Sequence, residues 1–445
     1  MKSGYSKICI NPVYGMPVRG YYEKRYVKGI LDNLYVRTIV FDDNSKNVAI
    51  ISLDLGNLPQ NVFDAMREEI AKSCNMDKEA VFISCIHTHT GPNVVMDEQN
   101  KDSIDYAYAK MLIAQVRDSV IYAKADLDET ETEYARSKAD NIAFVRRYRM
   151  KDGSVSTNPG VDNPEIEHPL GNADDTVKLI KLKRKTADDI LIINFACHPD
   201  TIGGEYISAD FPGYVCSVTE KALPGTKCMF LQGAEGDINH INVHPASDEN
   251  KLLKPDFDGV PRGIEYTVHI GRKIAGAVIS VVSITEKLNC ERVDKYSVEV
   301  ANLPSFRENH RINEARRIVE LYDSGRGAEL EFKEMELTTA VAEAKRILSL
   351  ENGPDYFTFN ISAVKMGELV FVGIGGEAFA EIGSRICSLL PNNKTIVCCL
   401  TNGQGGYIPT SKAYSEGGYE ARCSKLSAGG DDIIVETVKR FYEEK

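Results

Sequence analysis

Short apolar runs, each closed by a polar residue beside glycine or proline, recur along this chain and set the architecture it predicts. In Val81-Phe82-Ile83-Ser84-Cys85-Ile86 the run is rich in β-branched residues, ends in His87-Thr88-His89-Thr90 and stops at Gly91-Pro92. It reads as a buried strand delivering polar groups at its tip. Positions two apart in an extended chain share a face, so His87 and His89 are expected to point together and Thr88 away. Upstream, a short strand at Ile8–Asn11 precedes two longer ones, Leu34–Asp43 and Asn47–Leu55, joined by a hairpin-like turn at Asp43-Asn44-Ser45. Gln60 to Cys74 carries helical spacing in Val62, Phe63, Met66 and Ile70. Strand, helix and histidine strand in succession predict a crossover unit.

Downstream the pattern continues. Tyr106–Ala125 reads as a helix, and Ile142–Arg149 as a short strand carrying Arg146, Arg147 and Arg149. Residues 154–175, rich in Pro, Asn and Asp, read as a surface loop. Ile190–Cys197 is a strand ending in His198-Pro199, and Lys227–Gly233 a strand running into Gly236-Asp237-Ile238-Asn239-His240. Gly263–Val282 reads as a helix. Residues 303–350 read as a charged helical block, broken at Ser324-Gly325-Arg326-Gly327 and expected to lie across the core as a hairpin. The tail gives a strand at Glu368–Glu377, a helix at Ala378–Leu390, a strand at Thr395–Asn402 and a glycine loop at 403–407. The expected fold class is α/β, a mixed β-sheet core flanked by helices, with residues 1–445 forming one domain.

Composition narrows the function. Of 445 residues, 43% are hydrophobic and 27% charged, ordinary for a globular protein, and the formal charge of -12 with no Lys/Arg run argues against nucleic acid as partner. No stretch approaches the roughly 18 consecutive apolar residues of a membrane span. The 11 cysteines lie mostly inside apolar runs with no Cys-x-x-Cys, which fits buried free thiols rather than disulfides or a thiolate zinc site. With no signal peptide visible, the expected location is the cytoplasm.

Chemistry gathers at the ends of the runs. Asp54, His87 with His89, His198, Asp237, Glu377 and Tyr407 each follow an apolar segment, and loops beyond strand ends are where α/β sheets bind ligands. Three histidines, a glutamate and a tyrosine meeting there would form the nitrogen/oxygen site zinc favours. Each residue also has a structural reading: Asp54 as a helix cap, Glu377 at a helix start, Tyr407 as a core ring, and the two neighbouring histidines as a hydrogen-bonded core pair. His240 and His244 are rival ligands to His198, whereas His168, His269 and His310 suit the surface. The arginines most simply form a solvated patch, although one placed near a metal would suit an anionic or carbonyl group.

Five of these segments, Ile86-His87-Thr88-His89-Thr90-Gly91-Pro92, Asn194-Phe195-Ala196-Cys197-His198-Pro199, Gly236-Asp237-Ile238-Asn239, Gly376-Glu377 and Tyr407-Ile408-Pro409-Thr410, together resemble the catalytic domain of the neutral/alkaline non-lysosomal ceramidases, in the family's order. The resemblance implies that fold and a zinc amidase cleaving the N-acyl bond of ceramide. It implies His87, His198, Glu377 and Tyr407 as zinc ligands, His89 beside the water and substrate, and Arg146 and Tyr419 as substrate-binding residues. Three departures weaken ceramide as the substrate: Asn239 where the family has a serine, an end at Lys445 short of the family's immunoglobulin-like domain, and no visible secretion signal.

The chemistry expected is metal-assisted hydrolysis, with Zn2+ as cofactor, His89 as proton shuttle, Asp237 orienting a ligand imidazole and Asn239 at the serine position. The substrate is expected to be a small-molecule or lipid-like N-acyl compound. A small polar amide, ester or lactone, sugar-derived ones included, is the alternative, and a non-catalytic binding protein ranks behind both.

Overall fold

The computed structural model describes residues 1–245, 251–256, 258–403 and 405–443. Gln404, inside the expected glycine loop, lies outside the described residues. The main sheet uses β1 (Lys2–Cys9), β2 (Tyr35–Asp42), β3 (Asn47–Leu53), β4 (Val81–Cys85), β5 (Asp128–Lys138), β6 (Thr176–Arg184), β7 (Asp189–Phe195) and β8 (Thr226–Gln232). They lie in the order β8-β7-β6-β5-β1-β2-β3-β4, with the two-residue strand Glu286–Lys287 paired to β5. Pairing along this path is antiparallel except for β3 with β4 and β7 with β8.

Both parallel pairs are bridged by helices, as short crossovers require. Helix α1 (Gln60–Cys74) spans β3 to β4, so the predicted crossover is present, and it ends where Asn75 takes a left-handed φ of 50° and returns its N–H to the Ala71 carbonyl. Helix α2 (Ile104–Ala125) starts at Ser103, whose hydroxyl accepts from Tyr106 N, and buries Leu112, Val116 and Val120 along one stripe. Helix α3 (Asp210–Ala222) spans β7 to β8 and packs on α4 (Ile264–Val281). Among the described residues no helix is long and apolar enough to cross a membrane.

A second sheet has the order β9 (Lys295–Pro304), β10 (Tyr356–Met366), β11 (Leu369–Ile374), β12 (Lys394–Cys398), the last pair parallel. The expected helical block therefore starts too early, since residues 303–304 finish β9. Helix α5 (Ile312–Asp323) and helix α6 (Glu334–Ser349) follow, closing a small core of Ala315, Ile318, Val341, Ala344 and Ile347. Helix α7 (Ala380–Ser388) spans β11 to β12, and α8 (Gly430–Glu443) ends the chain's described part.

The sheets are joined by the segment after β12. Cys399 N donates to Gln232 O of β8 at 3.2 Å, Cys85 N of β4 to Leu400 O at 3.2 Å and Asn402 N to Ile83 O at 2.8 Å. One apolar core runs through both, with Ile83, Phe195, Phe230, Val372 and Val397 among its members. Asp54 belongs to this framework. Its carboxylate takes the Arg37 guanidinium at 2.7 Å with both side chains almost fully buried, and accepts Tyr35 N at 2.9 Å. It neither reaches the site nor caps a helix.

Candidate metal centre

The tip of β4 departs from the alternation argument. The strand ends at Cys85, and His87 has a φ of 75°, left-handed for a residue with a side chain. Its N–H is held by Leu55 O at 2.9 Å, and the turn brings the His87 and His89 rings to 5.0 Å between centroids. The two rings do meet, through a strained turn in place of a shared strand face.

Beyond β7, His198 N donates to Ile238 O at 3.0 Å, and its ring lies 4.6 Å from that of His87, nearly perpendicular. The third arm comes from the segment that follows β11 of the second sheet. Glu377-Ala378 pairs in parallel with Tyr407-Ile408, setting Glu377 opposite Tyr407. Gly236 permits the close passage: a Cβ there would sit 2.4 Å from Glu377 O.

Three donor atoms converge. His87 Nε2 is 3.1 Å from His198 Nε2, and Glu377 Oε2 is 3.3 Å from the first and 3.6 Å from the second. His87 Nδ1 faces Gly56 O at 2.9 Å and His198 Nδ1 faces Glu235 O at 3.2 Å. A carbonyl only accepts, so each Nδ1 carries the proton and each Nε2 presents a lone pair inward. Two lone pairs and a carboxylate oxygen with no hydrogen-bond donor, all buried, form a set that a cation fits. Without a cation, a proton is drawn to the same space. Burial disfavours charge on His87, but the adjacent Glu377 outweighs it and lifts the imidazole pKa to about 9. Burial pushes Glu377 up, and His87 overrides it, leaving the carboxylate below its usual range. His198 is held well below its ordinary value by burial and by Arg146.

Glu235 was missed in the sequence. It is fully buried, with a carboxylate oxygen lying within 4.8 Å of the ligand atoms of His87, His198 and Glu377. The Cys399 thiol faces its carboxylate, burial pushes its pKa up to about 8, and no N–H or hydroxyl donates to it. The signal was present, an acid after an apolar strand in Gly233-Ala234-Glu235-Gly236, but Asp237 two residues on carried the reading.

His89 lies against Tyr21, with ring centroids 5.2 Å apart, and places Nδ1 3.5 Å from Asp200 Oδ1. Burial, with His87 and Arg262 nearby, lowers its pKa to about 3 despite Asp200, so the ring is neutral near pH 7. Tyr407 stacks at 27° against the His198 ring, with centroids 6.3 Å apart, and its hydroxyl oxygen accepts from Arg146. Tyr419 lies edge-on to Tyr407 at 5.5 Å.

Two arginines expected to be solvated are buried. Arg146 Nε meets Glu420 Oε1 at 2.6 Å and Nη2 donates to Gly236 O at 2.7 Å. Arg147 Nη2 binds Glu416 Oε2 at 3.2 Å and Gly417 O at 2.9 Å. Arg149 alone keeps substantial contact with solvent.

Asp237 is not brought to either imidazole, whose Nδ1 partners are carbonyls. Its Oδ1 accepts Ala380 N at 2.8 Å at the start of α7, and it lines a different cavity with Gly171 and Phe379. Asn239 turns its amide away too, donating to Asn158 Oδ1 at 2.8 Å and accepting Ile241 N at 3.1 Å. His244 is exposed near Asp162, and His168 and His310 are exposed as expected, while His269 is half-buried.

His240 is no rival ligand, since its Nε2 donates to Pro261 O at 2.8 Å. Burial lowers its pKa to about 4 from 6.5. The unfolded chain thus binds more protons between those values, and the stability from neutral His240 is complete above about pH 6.5 and lost as pH falls toward 4. At about 1.4 kcal/mol per pH unit the loss approaches 3 kcal/mol. Urea unfolding of His240→Asn from pH 7 to 4 is expected to show a shallower acid decline than the parent, and equal slopes would contradict this.

The donors open onto a cavity of about 700 Å³ lined by His87, His89, Glu377, Tyr407, Tyr419 and the Arg19–Tyr26 segment. Fold and cluster together define an α/β protein with a buried two-histidine, carboxylate centre at the seam of two sheets. The chain belongs to the neutral/alkaline non-lysosomal ceramidase family, whose N-terminal part matches residues 6–247. Two solved structures share the fold. A neutral ceramidase from Pseudomonas aeruginosa superposes with a TM-score of 0.70 at 14% identity, over 99% of this chain and 74% of that one. A ceramidase complexed with C2 gives 0.69 at 15% identity, over 99% and 75%.

Proposed function

We propose that this chain is a zinc-dependent hydrolase cleaving the carbon–nitrogen bond of an N-acyl substrate, and that residues 1–445 act as one catalytic domain. The carrying observation is the convergence of His87 Nε2, His198 Nε2 and Glu377 Oε2, with both Nδ1 protons committed to carbonyls. Nitrogen and oxygen donors without thiolate suit zinc. His87, His198 and Glu377 would hold it, with Tyr407 and Glu235 beside them. Zinc, when bound, supplies Lewis acidity, drawing the pKa of water from about 15.7 toward 7 and polarising a carbonyl.

The chain's own groups account for the rest. His89 has no hydrogen-bond partner at Nε2 among the described residues; burial makes its ring a weak base, so it can relay a proton from the attacking water only with the Asp200 carboxylate beside Nδ1 stabilising the imidazolium. It can return that proton to the amine nitrogen as the C–N bond breaks, so that amide and water become carboxylic acid and amine. Tyr407, held protonated by burial and positioned by Arg146, can donate its O–H to the developing oxyanion. Tyr419 and Tyr21 supply flat apolar walls. Asp237 and Asn239, facing away, take no step. Ceramide-like lipids are the substrate the family suggests, while the basic residues lining the cavity favour the more polar amides.

Chelation followed by dialysis is expected to abolish hydrolysis of N-acyl compounds, and one equivalent of zinc to restore it. The panel should set short-chain ceramide beside soluble N-acyl amines, with released amine as the readout. Undiminished turnover after complete metal removal would end this reading.

A further inference from the structure

The cavity is electrostatically opposite to the molecule that contains it. In a chain of formal charge -12, the cavity wall carries Arg19, Lys24, Arg25 and Lys425 against Glu23 and Glu377. A concave site of one sign inside a surface of the other concentrates oppositely charged ligands.

None of these four cations has a carboxylate in ion-pair reach among the described residues; Lys24 and Lys425 are exposed, and Arg19 is half-buried. Arg37, Arg146, Arg147 and Arg262 each bind a carboxylate. Arg25 turns Nη1 to the carbonyl of Gly204 and Nη2 to those of Arg19 and His89, which fixes its guanidinium away from an incoming ligand. Arg19 makes one side-chain hydrogen bond, Nη1 to Asn93 Oδ1 at 3.1 Å, and among the described residues no carboxylate is in ion-pair reach. A guanidinium has five donors; half-buried on the cavity wall, Arg19 leaves most of them facing the cavity rather than a protein partner. Burial indeed weakens its hold on its proton, with Glu377 acting against that.

Its position is built. Arg19 N donates to Gly91 O at 3.0 Å and Asn93 N to Pro17 O at 2.8 Å, while Arg25 Nη2 clasps Arg19 O at 2.7 Å. Arg19 is thereby fastened to the turn that follows His87 and His89, on the wall of the cavity that holds Glu377.

We propose that Arg19 is the seat for an oxyanion on the substrate, so that the site takes amides whose amine portion carries a carboxylate, the N-acyl amino acids. A planar guanidinium matches a carboxylate in two parallel hydrogen bonds. This inference rests on the amide-hydrolase reading for its chemistry, but the anion seat can be tested without turnover.

Calorimetry on the metal-free protein should compare N-octanoyl amino acids, their primary amides and N-octanoyl ethanolamine phosphate. The carboxylates are expected to bind at least tenfold more tightly than the amides. Arg19→Gln is expected to remove that preference and Arg19→Lys to keep part of it, while binding of the uncharged compounds stays within about twofold. In the zinc-loaded enzyme kcat/KM for the carboxylates is expected to fall 10- to 100-fold in Arg19→Gln with zinc content unchanged. Tightest binding by the phosphate would overturn the assignment to amino acids and keep the oxyanion. Wild-type binding that ignores charge, or an Arg19→Gln effect equal on charged and uncharged compounds, would overturn the seat itself. Retained preference with no turnover of any amide would instead overturn the hydrolase reading.

Discussion

His87→Ala is expected to come off purification with less than a tenth of the zinc of the parent protein and to lose activity by at least about 100-fold. The size follows from what the ring does. His87 Nε2 is the nearest neighbour of both other donor atoms, at 3.1 Å from His198 Nε2 and 3.3 Å from Glu377 Oε2. Deleting a group that only orients a ligand costs about 10- to 100-fold in metal affinity or activity, so removing a donor costs more. In the metal-free site the substitution also removes the neighbour that offsets the burial of Glu377 and holds its carboxylate below the usual range. Metal analysis of His87→Ala beside Asp237→Asn separates site from scaffold: the second variant should keep its zinc. A full equivalent in His87→Ala would mean that these three atoms do not form the cation site.

Glu420→Ala is expected to lower unfolding free energy by about 3–5 kcal/mol, the usual cost of stripping one partner from a buried ion pair. Glu420 has no exposed side-chain surface, and it receives Arg146 Nε at 2.6 Å, Thr157 Oγ1 at 3.0 Å and Arg147 Nε at 3.8 Å. Its loss leaves two guanidiniums facing a void. Because Arg146 also holds the Tyr407 hydroxyl, kcat should fall in the fraction that still folds. Glu420→Gln keeps the shape and one acceptor, and should cost roughly half as much. Urea denaturation at pH 7 measures both; a Glu420→Ala midpoint equal to the parent's would show that solvent or a neighbour already compensates the arginines.

What could be read from the chain divides by the range of the interaction. Strands such as Asn47–Leu53, buried from Val48 onward, and Val81–Cys85, buried throughout, are announced by their apolar runs, and α1 shows its stripe in Val62, Phe63, Met66 and Ile70. Strand β5 hides because Glu129 and Glu131 face solvent and pair with Lys185 and Lys287, which makes its sequence look like a charged loop. Strand β9 goes unread, only its last two residues falling inside the expected helical block, for a related reason: it is mostly half-exposed, and no apolar run marks it. Arg146 and Arg147 looked solvated because their partner Glu420 lies more than 270 residues away, and no local pattern carries such a pairing. Asp237 stood out by its place after a strand and Asn239 by motif likeness, yet backbone geometry turns one to a helix end and the other to Asn158. The rings at 87 and 89 converge by a left-handed turn that alternation cannot foresee.

The seam between the sheets gives the centre a mechanical meaning. His87 and His198 lie beyond strands of the first sheet and Glu377 beyond β11 of the second, and the two sheets already share an apolar core and the backbone bonds around Cys399–Asn402. An ion gripped by all three is a rivet between the two halves of the molecule. Residues 6–247, expressed alone, would retain both imidazoles and none of the opposing jaw. Loading the ion into the full chain should therefore stiffen the joint itself, slowing amide exchange at Ile83, Cys85 and Asn402 more than in distant α5.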